Sequence, residues 1–411
     1  MAIRNQDPSR PAFWLVAAIA SVLAATPASS PAATLRVGPT ETYQTVRAAS
    51  QAVQNGDTVL VDAGIYSADV TTWNAGNITV RGVGGGRAWM RADGAQEGGK
   101  GTWVVYGSNF TAENIEFSGS VVPDMNGAGI RGDGAGFLVV RNCYFHDNQD
   151  GILGGADSIL IENSIFDHNG AGDGYSHNMY VWGRTFTLRN SYTHRAVIGH
   201  DIKTRTVNNY ILYNRIMDES DGTASYEVDI PDGGRSYLIG NVIEQGPNTD
   251  NSTIVAYGEE SSNNGVMDLY VINNTIVNNH TGGGTFLSIG GGTTVRATNN
   301  IFYGPGTTWS GGTVTASHNY VEPSYNNSPG FLSPSTYDFH LSAASPATIV
   351  NAGVAPGVSA AGYDLTPTGQ YVYDAQGLPR PVAGALDLGA FEYAVGDTIP
   401  PAAVRDLGFR Q

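Results

Sequence analysis

Four short runs in the middle of the chain carry most of its chemically useful side chains: Ser176-His-Asn-Met-Tyr-Val-Trp182, Ile198-Gly-His-Asp-Ile-Lys-Thr-Arg205, Ser225-Tyr-Glu-Val-Asp-Ile230 and Thr253-Ile-Val-Ala-Tyr-Gly-Glu-Glu260. Aliphatic residues alternate in them with polar or aromatic ones, the pattern of a strand with one face in a core. If Met179, Val181, Ile202, Val228, Ile230, Ile254 and Ala256 point inward, alternation sends Asn178, Tyr180, Trp182, Asp201, Lys203, Arg205, Glu227, Asp229, Tyr257 and Glu259 outward. Stacked strands lie about 4.8 Å apart, so Lys203 and Arg205 would meet Asp201, Glu227 and Asp229.

That grouping suits proton abstraction beside a carboxylate, which requires the carboxylate to be neutralised and a base to stand at the adjacent carbon. Lys203 is the candidate base, Arg205 the neutraliser, and His200 a further catalytic candidate that would stack on His177 of the preceding run. Tyr180, Trp182 and Tyr257 offer rings on which sugars stack, and His177 and Arg235 complete the expected binding set. Asp201, Glu227 and Asp229 would supply hard oxygen ligands for Ca²⁺. The expected reaction is β-elimination on a uronate-containing polysaccharide. C5 epimerisation shares its first step, and the three acids would instead serve an inverting glycoside hydrolase. A passive glycan-binding surface, or a ladder of salt bridges that keeps strands in register, needs no chemistry at all.

The elements that must position these residues are announced by a recurring asparagine. Asn142, Asn163, Asn190, Asn214, Asn241, Asn274, Asn300 and Asn319 each follow a short β-branched or aromatic strand and precede another. The spacing is irregular, roughly 20–30 residues, as in a solenoid whose coils carry loops of different length. Asparagine tolerates the left-handed corner such a coil requires. Tyr43 to Asn55 is expected to form a short amphipathic helix with Val46, Ala49 and Val53 on one face and Gly56 as its stop, capping the open end of the coils. This opening, through Gly56 to Tyr66, resembles the start of pectate-lyase-like right-handed parallel β-helices. The fold expected is therefore all-β: a right-handed single-stranded parallel β-helix solenoid with an N-terminal helical cap and a C-terminal capping segment. The divisions are 1–33, a signal peptide; 34–330, the β-helix with its cap; 331–395, a terminal coil and capping tail; and 396–411, a linker. Gly377 to Tyr393 resembles the tail of secreted bacterial β-helix proteins, so its Asp387 and Glu392 are expected to be structural.

Residues Met1 to Arg10 are polar and basic, Pro11 to Ala25 apolar, and a small-residue stretch runs to Ala33, as in a secretory signal; the apolar run is shorter than the roughly 20 residues of a spanning helix. A secreted monomer without a membrane span in its mature form is expected. Net charge is −16, and the 21 Lys and Arg are dispersed, which disfavours nucleic acid and anionic lipid as partners. An acidic polysaccharide is still accessible where a few cations converge. Cys143, the only cysteine, reads as a small buried hydrophobe. His146, His168 and His194 follow the recurring asparagines on another face and read as structural.

Lys203-Thr204, followed by Asn208, Tyr210 and Asn214, is similar to a run in chondroitinase B and related alginate lyases. The resemblance implies a lysine base beside a calcium-bound substrate carboxylate. It covers about two coils and departs in the next, where Asp229-Ile-Pro-Asp-Gly-Gly replaces an arginine followed by His-Gly. Arg205 or Arg235 would have to supply the second cation. Polygalacturonase-like hydrolases carry paired aspartates and a Gly-His-Gly element; the nearest run here is Gly199-His200-Asp201.

Overall fold

The computed structural model describes residues 31–134, 136–381 and 383–393. The segments expected to be signal peptide and linker lie almost wholly outside them. Twenty-six strands join in one hydrogen-bonded sheet system, every pairing within it parallel. The chain winds as a parallel β-helix with three strand positions per coil. One position runs through Gly101–Val105, Ala128–Gly132, Tyr226–Ile230 and Thr253–Tyr257. The next runs through Phe110–Glu113, Phe137–Arg141, Arg235–Ile239 and Asp268–Ile272, and the third through Tyr144–His146, Ile165–Asp167, Tyr192–His194, Arg215–Met217 and Val242–Gln245. In five coils the first and second positions fuse into single strands, Asp150–Glu162, Met179–Arg189, His200–Leu212, Thr285–Thr298 and Thr307–Ser317.

Stacking in register explains the composition. Each coil lends one inward residue to a column, so like meets like: Phe117, Phe145 and Phe166 stack face to face with centroids 4.9 and 4.8 Å apart. One core of buried aliphatic and aromatic residues therefore runs from Leu35 to Phe302. The helix occupies Val46–Ala52, shorter than expected. Thr45 caps it by accepting from Ala48 N at 3.1 Å, and Asp69 accepts from Val46 N and Arg47 N. Val53 turns extended instead of continuing the helix and stays in the core.

The recurring asparagine proves to be two positions. Asn142, Asn163 and Asn190 have positive φ at the corner, but in later coils Tyr213, Gly240, Asn273, Asn299 and His318 hold that corner, and the asparagine comes one residue later. This second position forms a buried ladder in which each backbone N–H donates to the side chain above, through Cys143, Ser164, Ser191, Asn214, Asn241, Asn274, Asn300 and Asn319. From Asn214 onward the side-chain amide also donates along the ladder and back to a strand carbonyl, so these buried amides have their hydrogen bonds made. Cys143 is a rung of this ladder; its burial raises the thiol pKa to about 12, which leaves it inert.

The C-terminal segment returns along the outside. Tyr363 packs on Tyr210 and Tyr237, and Tyr371 on Tyr192. Glu392 accepts from Arg380 at 2.9 Å in a fully enclosed pair, and Asp387 accepts from the backbone of Asn351. Both acids are thus committed to holding the tail.

Candidate functional site

On the first strand position, three outward columns cross the central coils. Register sets His177, His200 and Tyr226 in one column, Tyr180, Lys203, Asp229 and Ala256 in the second, and Trp182 beside Arg205 in the third. His177 and His200 stack with ring centroids 4.5 Å apart. Lys203 Nζ lies 3.1 Å from Asp229 Oδ2, 3.4 Å from His200 Nε2 and 5.6 Å from the centre of the Tyr180 ring. Arg205 donates from Nε to the Tyr180 hydroxyl at 2.7 Å, from Nη1 to Asp232 Oδ1 at 2.7 Å and from Nη2 to Glu260 Oε2 at 2.5 Å. Tyr180 meets Trp182 edge to face.

Burial sets the protonation of this group. Desolvation, reinforced by Lys203 and Arg205, lowers His177 to about 3; burial, His177 and Lys203 hold His200 well below the usual imidazole range. Both rings are therefore neutral at neutral pH and available as hydrogen-bond acceptors. Asp229 is raised to about 6 by burial, which outweighs the stabilising charge of Lys203. The cluster is thus a lysine and an arginine on one strand, two neutral imidazoles, and acids bracketing both cations.

The expected outward face needs correction. Lys203, Arg205, His200, His177, Tyr180, Trp182 and Asp229 come together, but Asp201 and Glu227 do not join them. Both are fully buried, as is Asn178 in the coil before. At this corner two successive residues turn inside together, Asn178 with Met179, Asp201 with Ile202 and Glu227 with Val228, so strict alternation fails. Asn178 donates to Asp201 Oδ1 at 2.6 Å and extends an internal ladder from Asn148 through Asn169. Burial pushes Asp201 and Glu227 well above the usual carboxylate range, and each feels the charge of Asp218.

The three expected calcium ligands therefore lie on opposite sides of the wall. Among the described residues no three His, Cys, Asp or Glu side chains are grouped to hold a metal ion. Asp201, Glu227 and Asp229 do not fit Ca²⁺ as one set, and the complete burial of Asp201 and Glu227 leaves Asp229 alone of the three on the outer face, where a hydrolase needs two acids.

Tyr257 is also inside: it is a core residue whose hydroxyl donates to Gly234 O. Val228 pairs with Val255 and not with Ile254, so Ala256 takes the outward place. Arg235 stands opposite Asn208 on the second strand position, apart from the Lys203 column. Asp232 and Glu260 were not singled out from sequence. Pro231 and Gly258 signal that the chain leaves the strand before each, and Gly258, with φ +66°, ends the alternation that had selected Glu259.

A register-keeping salt-bridge ladder does exist, on the second strand position. Arg81, Glu113, Arg141, Glu162 and Arg189 alternate in sign through five coils. Arg141 bonds Glu162 at 2.8 Å and approaches Glu113 at 3.5 Å. The Lys203 group has no such alternation, and its cations share one strand.

No known protein family matches the sequence, and neither does any curated protein. Among solved structures the chain is similar to the pectate lyase Pel9A, with a TM-score of 0.58 and 16% identity over 89% of this chain and 97% of that one. It also aligns with a mutant of AlyGC, a PL6 family alginate lyase, at a TM-score of 0.33 and 14% identity over 72% of this chain and 41% of that one. The first likeness defines the class of fold: a pectate-lyase-like parallel β-helix. Among the described residues no helix is long and apolar enough to cross a membrane.

Proposed function

We propose that this chain is an exported polysaccharide lyase that cleaves a uronate-containing polymer by β-elimination. The observation that carries this reading is the pairing of Lys203 with Arg205 on one strand face, two residues apart, beside two neutral imidazoles and the rings of Tyr180 and Trp182. Arg205 offers a planar fork to the uronate carboxylate, and its positive charge stabilises the enolate that forms when the neighbouring proton leaves. Lys203, deprotonated at the moment of transfer, takes that proton from C5. The C5–H electron pair becomes the C4–C5 double bond, the C4–O bond breaks with its electrons, and the departing oxygen takes a proton from water. His200 accepts the hydrogen bond of Lys203 Nζ and aims it. Tyr180 fixes the guanidinium and, with Trp182, lines the path of the sugar chain. No step passes through calcium, because the acids expected to hold it are divided by the wall.

The test is incubation with a panel of uronate polymers, followed by ultraviolet absorbance of the unsaturated product. Absorbance that stays flat on every polymer, or full activity in both Lys203→Ala and Arg205→Ala, would refute the reading. The stacked neutral His177 and His200 favour one second reading, C5 epimerisation, in which a proton returns to the opposite face. That reaction changes the uronate stereochemistry and yields no unsaturated end.

A further inference from the structure

Glu260 stands apart from the other acids of the cluster. Lys203 already has Asp229 at 3.1 Å and Arg205 already has Asp232 at 2.7 Å, and both partners are largely enclosed, with side-chain exposures of 6% and 13%. Glu260 is a third carboxylate for two cations. Its side chain is 53% exposed, and it reaches over both heads, one oxygen 2.5 Å from Arg205 Nη2 and the other 3.8 Å from Lys203 Nζ.

The loop that carries it does not depend on this contact. Glu260 N and Ser261 N both donate to Pro231 O at 3.1 Å, Ser261 Oγ donates to Asp232 at 2.7 Å, and Asn264 donates its side-chain amide to Thr206 O and Gly233 O. A half-exposed ion pair of this kind contributes little to stability, so an incoming anion can displace it.

We infer that Arg205 forms a subsite for a single carboxylate, with the base Lys203 beside it, and that Glu260 is its internal stand-in, which the substrate must displace. This rests on the lyase reading and sharpens it: the group recognised at the scissile residue is a free carboxylate, and an esterified or carboxyl-reduced sugar has nothing to exchange with Glu260. The stand-in also sets a threshold, since only a ligand that brings its own carboxylate regains the bonds that are broken.

The experiment compares Glu260→Gln and Glu259→Gln with the wild-type chain. Glu259 removes the same formal charge, but its carboxylate is bound to Ser288 and not to either cation. Binding of polygalacturonate, alginate and a glucuronan, and of their carboxyl-reduced forms, is followed by tryptophan fluorescence and by calorimetry. Glu260→Gln is expected to bind its preferred acidic polymer about 3–10-fold more tightly, equivalent to roughly 0.7–1.4 kcal/mol. Glu259→Gln and the reduced polymers are expected to show a much smaller change. Equal gains in the two variants, or unchanged or weaker binding in Glu260→Gln, would overturn the stand-in role while leaving the lyase reading in place. A loss of kcat with unchanged KM in Glu260→Gln would overturn it by making Glu260 a catalytic group. Absence of binding by every protein to every polymer would overturn both. The midpoint of thermal unfolding should match wild type, since the loop remains anchored.

Discussion

Lys203 and Asp229 are register partners on consecutive coils, and their charged ends meet at 3.1 Å while His200 approaches both at 3.4 Å. The contact is produced by a coil-to-coil step and not by any local motif: 26 positions of chain separate two groups that the solenoid brings to one height. This pairing anchors the side chain on which the proposed chemistry depends.

Removing either cation should abolish product formation without unfolding the chain. Lys203→Ala is expected to lower kcat by about 10²–10⁴, the usual contribution of a positioned base. Arg205→Ala is expected to cost about 10²–10³ and to raise KM as well, since it binds the carboxylate in the ground state too. Steady-state kinetics of unsaturated-product formation, with circular dichroism as the folding control, checks both.

Asp229, raised to about 6 by burial, is expected to set the acid limb of the pH profile. Below that pH it becomes protonated and ceases to be an anionic partner for Lys203. In Asp229→Asn the limb near pH 6 should vanish or move, whereas an unchanged limb would assign it elsewhere. The measurement is kcat/KM against pH for both proteins.

Stability should fall as pH rises, in two windows. Burial raises Asp150 to about 8, with one carboxylate oxygen receiving His177 N and the other without a partner. An acid whose folded pKa is raised holds its proton more tightly in the fold, so stability is lost as pH rises from about 4 to about 8. His146 is opposed by burial, but hydrogen bonds to Asp147 and Glu116 raise it to about 9. Its contribution is fully present below about pH 6.5 and is lost as pH rises through about 9. Urea unfolding across pH should show Asp150→Asn flattening the first window and His146→Gln the second, each on the order of 1 kcal/mol or more.

The ladder should be intolerant at its centre. Asn241 accepts from Asn214 N and Nδ2, and donates to Ile211 O and Asn274 Oδ1, with no exposed surface. Asn241→Ala leaves buried partners on both sides unsatisfied and is expected to cost about 2–4 kcal/mol. Asn163→Ala, at a corner instead of a rung, loses one hydrogen bond and the tolerance for positive φ, and should cost about 1–2 kcal/mol. Equal losses would mean that the corner and the rung are not distinct.

Much of this was legible in the residues. Short strands separated by asparagine corners can bury their apolar faces only by stacking, so the β-helix and its capped end follow from composition and period. Lys203, Arg205, Tyr180 and Trp182 were also readable as one face, because within a strand alternation holds; His177 and His200 were readable as a stacked pair, but alternation alone would turn both inward. Asp201, Glu227 and Tyr257 were not. At the start of each strand the corner admits two inward residues in succession, and a single extra inward residue reverses every assignment on that side of it. Asp232 and Glu260 lay past Pro231 and Gly258, where alternation has no meaning.

By itself the sequence determined the winding: a repeated strand-corner-strand unit whose buried faces can be satisfied only by neighbouring copies, with both cations on one strand. Only the tertiary structure decided which acids stand with Lys203 and Arg205 outside the wall and which are enclosed within it. That choice depends on where each coil bends, and the bend is set by packing between coils that are distant in sequence.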